Sequence, residues 1–117
     1  YPFRSLAEAG VPLAGGSDCP VEPPHPLWGM AAARDRAGFH PEQSLSAARA
    51  LELFTTGAAR AIGEDAHLAP GRAATFTVLG GDPLTVEPEQ LRNLPVAAVF
   101  VAGREVVPPA GVEPWRG

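Results

Sequence analysis

Val11-Pro12-Leu13-Ala14-Gly15-Gly16-Ser17-Asp18 is the stretch whose reading decides the fold class. Residues 11–16 are almost wholly apolar, and polarity returns abruptly at Ser17-Asp18. A short run of this kind suits a strand buried on both faces, as in a parallel sheet. Pro12 fits at the entry of such a strand, where its missing N–H is tolerated. A helix is expected just before it. Pro2 suits a first helical turn. Phe3, Leu6 and Ala7 then share one face and Gly10 supplies a stop, so residues 3–9 read as a short helix.

Working outward from Asp18, residues 20–26 hold Pro20, Pro23, Pro24 and Pro26. Such a density of prolines makes a stiff loop. Residues 27–37 read as a helix, with Gly38 as the residue past its end. Pro41-Glu42-Gln43-Ser44 opens a longer helix through about Phe54, with Leu45, Ala48, Leu51 and Ala59 marking an inner stripe. Thr55-Thr56-Gly57 interrupts it, and a short helix is expected over 58–62. The character then changes. Residues 74–79 are rich in strand formers, residues 80–83 form a turn, and residues 94–101 give a second strand. A hairpin turn over 102–105 leads to Val106-Val107, and Pro108-Pro109 ends the β-unit. The order is helix, parallel-type strand, proline loop, helix pair and a small sheet, which is an α/β arrangement.

The chain has 117 residues, room for one ordinary domain. Hydrophobic residues make up 45% and charged residues 19%, the balance of a folding chain. The net charge of -4 argues against a nucleic-acid partner or an anionic membrane surface. No stretch approaches the roughly 18 apolar residues of a membrane span. With no export signal at the start and no disulfide, a cytoplasmic location is the expectation. The single Cys19 excludes an intramolecular disulfide and a C-x-x-C knuckle. All nine basic residues are Arg, so Schiff-base and lysine-carbamate chemistry are excluded within this chain. The chain opens on Tyr1-Pro2-Phe3-Arg4 without an initiator Met, and a piece of a longer protein is expected.

Asp18 is the leading candidate for chemistry. It ends an apolar strand, the edge where barrels and open α/β sheets place their ligands. A carboxylate there binds a metal or takes a proton from a water nucleophile. Equally, Asp residues cap turns, and spacing does not separate the two readings. His25, His40 and His67 are isolated, and none shows the spacing of a zinc pair. His40 reads as exposed at a helix start and His67 as part of a surface turn. His25 follows Asp18 in the proline loop and is the one placed to face a site. Trp28 walls a pocket after that loop or belongs to a helix core. Cys19 has no neighbouring His to activate it and reads as a small buried hydrophobe. Glu22 and Arg34 either reach a substrate or stay in solvent. Gly15-Gly16 and Gly80-Gly81 lack the context of a phosphate cradle.

Residues 1–21 carry a pattern that resembles the last β/α unit of the metal-dependent amidohydrolase superfamily, of the amidohydrolase family 3 type. Pro26-Leu27-Trp28-Gly29-Met30 resembles the loop and helix after that family's last barrel strand. Leu51-Glu52-Leu53-Phe54-Thr55-Thr56-Gly57-Ala58-Ala59 resembles its "EALxxYTxxAA" stretch. Residues 70–83 resemble "PGxxADxxVLxxDP", with Thr75 where the family usually has Asp, and residues 99–107 resemble the terminal hairpin. The ordered set covers roughly residues 1–107.

The resemblance implies a fold. Residues 1–65 would be the C-terminal end of a TIM-like (β/α)8 metal-dependent hydrolase barrel. Residues 66–107 would be the C-terminal part of a flanking β-sandwich, and residues 108–117 a loose tail. It also implies hydrolysis of a C–N bond in an amide or cyclic amide, with a small molecule as substrate. In the family one or two divalent metals are held by a His-x-His pair, a carbamylated Lys or other bridging group, two further His and an Asp after the last strand. That last role falls to Asp18 alone. The other ligands have no counterpart here, so the full-length protein is expected to hold a divalent metal, zinc by expectation, and this chain none. Substrate contacts would fall to His25 and Trp28. The chain alone is expected to be inactive and, with open edges, to form homo-oligomers. The alternatives are a non-catalytic remnant or interaction module of the same fold and, third, an enzyme using Cys19.

Overall fold

The computed structural model describes residues 1–106. Expectations that fall on Val107 and on 108–117 lie outside the described residues. Five α-helices and three strands follow in chain order: α1 (Phe3–Glu8), α2 (Pro26–Asp35), α3 (Ala47–Leu53), α4 (Thr56–Ala61), β1 (Phe76–Leu79), α5 (Pro88–Arg92), β2 (Val96–Val101) and β3 (Arg104–Glu105). The result is a small α/β structure with one three-stranded antiparallel sheet in the order β1-β2-β3.

The helical half differs from expectation where side chains intervene. Helix α1 starts where expected, ends one residue early at Glu8, and carries an Arg4–Glu8 ion pair of 2.8 Å at i, i+4. Helix α2 takes Pro26 at its first turn and ends at Asp35, because Arg36 just past it is left-handed at φ 52°, so it stops two residues before the expected Ala37. The expected long helix from Pro41 to Phe54 is divided. Pro41–Gln43 form a single 3-10 turn, Ser44 is extended, and α3 begins only at Ala47. The divider is Ser46, whose Oγ accepts from the Arg49 N–H at 3.2 Å and caps α3. This shift turns Ala48 outward and places Ala50 in the core. Helix α4 starts at Thr56, two residues earlier than expected.

Residues 11–16 form no strand among the described residues. A strand exists through a ladder partner, and here the Gly15 N–H instead donates to the Leu53 carbonyl at 2.8 Å. The run therefore lies against the end of α3, with Val11 exposed and Leu13 half-buried.

In the β-unit, Phe76 pairs with Phe100 and Thr77 with Val99, and an irregularity before Leu79 brings it opposite Val96. The Phe76 and Phe100 rings stack at 4.8 Å. The hairpin turn is Ala102-Gly103, and Arg104–Glu105 is already strand, so the expected turn over 102–105 is two residues too long. Helix α5 was not anticipated. Pro88 opens it, and the Gln90 side chain accepts from the Glu87 N–H at 3.0 Å.

The core consists of Leu27, Met30, Ala31 and Ala33 from α2, with Leu45, Ala50 and Leu91 around them. Leu91 of α5 is wholly buried. Helix α5 and the residues just before it are held on α2 by polar clips as well. Arg34 donates to the Val86 carbonyl at 2.8 Å, and Arg92 forks onto Asp35 at 2.7 and 3.1 Å.

Candidate functional site

Helix α2, the run 13–17 and the proline loop enclose a cleft of about 710 Å³. Its floor is made by two glycines and a ring. A Cβ at Gly15 would stand 2.7 Å from Phe54, and one at Gly29 would stand 2.4 Å from it. The absence of side chains at both positions lets Phe54 wedge between the run and α2. Glu22 through His25, Trp28 and Arg92 of α5 also line it.

His25 stacks on Trp28 with ring centroids 5.3 Å apart and planes at 17°. Its Nδ1 is buried without a hydrogen-bond partner among the described residues. Trp28 is half-buried, and its indole N–H donates to the Arg92 carbonyl at 3.0 Å. Both expected substrate-side residues thus line one cleft. Ser17 lines it too, and Asp18 follows directly, exposed and left-handed at φ 55°.

The turn after Asp18 is closed by main-chain and serine groups. The Val21 N–H donates to the Asp18 backbone carbonyl at 2.9 Å, and the Cys19 N–H donates to Ser17 Oγ at 3.2 Å. The Asp18 carboxylate takes no part in either. Cys19 is exposed, not the buried hydrophobe expected. It sits in the turn that follows Asp18, outside the core cluster. Glu22 is exposed on the cleft wall, and Arg34 is occupied with Val86. His40 and His67 pair locally with Glu42 and Asp65 on the surface, away from this cleft.

The electrostatic anchor is the Asp35–Arg92 pair. The Arg92 hydrogen bond, helped by the Ala37 N–H and opposed by partial burial, holds the Asp35 carboxyl below its usual value. The same bond raises Arg92. Asp35 and Arg92 stand 57 residues apart, and no local pattern links them. Arg92 was therefore missed as a cleft residue. Pro88 before a short amphipathic stretch was the available signal for α5.

The family model for the amidohydrolase family matches residues 1–107. The chain belongs to the amidohydrolase family. Among curated relatives, this amidohydrolase chain is 33% identical to "Putative amidohydrolase YtcJ" of Bacillus subtilis (strain 168), over 91% of the chain and 22% of that protein. It is 32% identical to the N-substituted formamide deformylase of Arthrobacter pascens, over 88% of the chain and 20% of that protein. It is also 32% identical to Protein LONG AFTER FAR-RED 3 of Arabidopsis thaliana, over 92% of the chain and 20% of that protein. The chain spans about a fifth of the length of these relatives. No solved structure matches it significantly.

The amidohydrolase family is in general metal-dependent. Among the described residues no three His, Cys, Asp or Glu side chains gather as a donor set. A single carboxylate at Asp18 does not hold a divalent ion, so the donors among the described residues do not by themselves fit the metal. No helix among the described residues is long and apolar enough to cross a membrane.

Proposed function

We propose that the chain is the C-terminal part of a hydrolase that cleaves the C–N bond of an amide or cyclic amide. Residues 1–65 would close a TIM-like barrel and residues 66–107 would belong to a flanking β-sandwich. The observation that carries the reading is the family match over residues 1–107. An N-substituted formamide is a reasonable first substrate, because one relative is named for that chemistry.

In this reading the Asp18 carboxylate joins donors contributed from outside this chain. A divalent metal, zinc by expectation, would supply Lewis acidity and a more acidic water when bound in the assembled site. Asp18 stands exposed beside the cleft and accepts the proton of the attacking water. The water oxygen bonds to the carbonyl carbon, the C–N bond breaks, and the amine leaves with the proton that Asp18 took from the water. Trp28 and His25 wall the cleft and orient the substrate. The isolated chain lacks the remaining donors and would be inactive.

The test begins with the mass of the native gene product. A product with at least some 200 further residues would complete a barrel. In that product, Asp18→Asn should lower hydrolysis of N-methylformamide by about 100-fold or more and reduce bound metal, while the metal-free forms of the two proteins should unfold at the same temperature because Asp18 is exposed. Equal activity and metal content in Asp18→Asn would remove the role. A native product of this chain's size would favour a non-catalytic protein of the same fold.

A further inference from the structure

The hydrolase reading leaves open how His25 faces a substrate, and its surroundings answer that. An imidazole has two nitrogens, and when neutral only one carries a proton. Nδ1 of His25 is buried and has no hydrogen-bond partner among the described residues. The ring as a whole is partly exposed and lines the cleft, so its open edge is the one bearing Nε2. Burying a donor N–H without an acceptor is the rarer and costlier arrangement, whereas a buried lone pair is better tolerated.

The ring is also held in place. It stacks on Trp28, and the Trp28 indole is tied to the Arg92 carbonyl. Arg92 is tied in turn by two bonds to Asp35. A half-turn of the ring about Cβ–Cγ would lift Nδ1 out of its buried position and put the Cδ2 edge into it, exchanging Nε2 with Cε1 at the open edge.

We infer that His25 rests as the Nε2–H tautomer and presents that N–H into the cleft as a fixed donor to a carbonyl oxygen. It is neither a general base nor a metal ligand in this state, because the lone pair is on the buried side. This role rests on the proposed hydrolase reading, in which the cleft receives an amide. The donor orients the carbonyl and selects against amines that lack one.

The experiment uses the native product with ¹⁵N-labelled histidine. Long-range ¹H–¹⁵N correlations, assigned by the loss of signals in His25→Gln, report which nitrogen carries the proton. The Nε2–H pattern is expected, and an Nδ1–H pattern would overturn the inference. N-methylformamide is then titrated in, with trimethylamine as the carbonyl-free control. The His25 Nε2 signal should move with the amide and not with the amine. No movement with the amide, or equal movement with both, would overturn the role. In His25→Gln, whose amide nitrogen stands near the Nε2 position, amide affinity should be largely retained, and in His25→Phe it should fall about tenfold. Equal affinity in both variants would count against the donor. The two readings fail separately. Hydrolysis lost with the Nε2 shift retained would sink only the enzyme, and hydrolysis retained without the shift would sink only the donor.

Discussion

Replacing Gly57 by Ala tests how the run 11–16 is held. A Cβ at Gly57 would stand 2.3 Å from the Leu13 carbonyl oxygen and 2.8 Å from that of Glu52. Contact distances between such atoms are normally about 3.5 Å. Both obstructing atoms are backbone, so no side chain can rotate away. Either the run 11–16 or the start of α4 must move by about 1 Å, which also disturbs the Gly15–Leu53 hydrogen bond at 2.8 Å. Overpacking of this kind costs about 1–3 kcal/mol. Ala is the better helix former by about 1 kcal/mol in a helix interior, and Gly57 lies in the first turn of α4, where that gain is smaller. The net expectation is a loss of about 1–2 kcal/mol. With a urea m-value of about 1–2 kcal/mol per molar, the unfolding midpoint should fall by about 1 M. Gly16→Ala is the control, since nothing stands within 4 Å of its added Cβ. Urea titration followed by circular dichroism reads both. A Gly57→Ala midpoint equal to that of the unsubstituted protein, or above it, would refute the close approach of Leu13 to α4.

Leu91 is wholly buried, so Leu91→Ala should cost about 2–5 kcal/mol by the same titration; a loss under 1 kcal/mol would show that α5 does not seal the core. The Asp35 pKa is lowered chiefly by Arg92, so the pair stabilises the fold above the ordinary carboxylate value of 3.8 and loses that contribution as pH falls through the lower folded value. The pair is about one-third exposed, which limits the contribution to about 1 kcal/mol or less. The unfolding midpoint of the unsubstituted protein should therefore drop more steeply below about pH 4 than that of Asp35→Asn, and parallel curves would exclude the bridge. Gly29→Ala should push Phe54 from the cleft floor, and near-ultraviolet circular dichroism should register a changed aromatic environment; an unaltered spectrum would place the ring elsewhere.

Much of the fold was legible because the signals are local. Pro2 and Gly10 bracket α1, the end of the proline loop announces α2 to within a residue, and the density of β-formers announces β1 and β2. Ser46 was overlooked because a Ser inside an apolar run reads as a helix residue until its Oγ is seen capping α3. For the site, His25 at the end of the proline loop and Trp28 just after it line one cleft. Arg92 and Phe54 were not readable, since each reaches the cleft through contacts with segments far away along the chain.

The amino-acid sequence by itself determined the family, through an ordered series of motifs over residues 1–107, and most helix and strand positions. Caps, proline stops and periodicity act within about one helical turn, so one chain suffices to read them. Only the tertiary structure decided that residues 11–16 rest against α3 without a ladder, and that α5 clamps α2. It alone also showed that His25 turns Nδ1 inward. Those outcomes depend on partners that lie tens of residues apart, such as Trp28 and Arg92 across 64 residues. Which distant group is close enough to accept a proton or exclude water is a property of packing, and periodicity along the chain does not encode it.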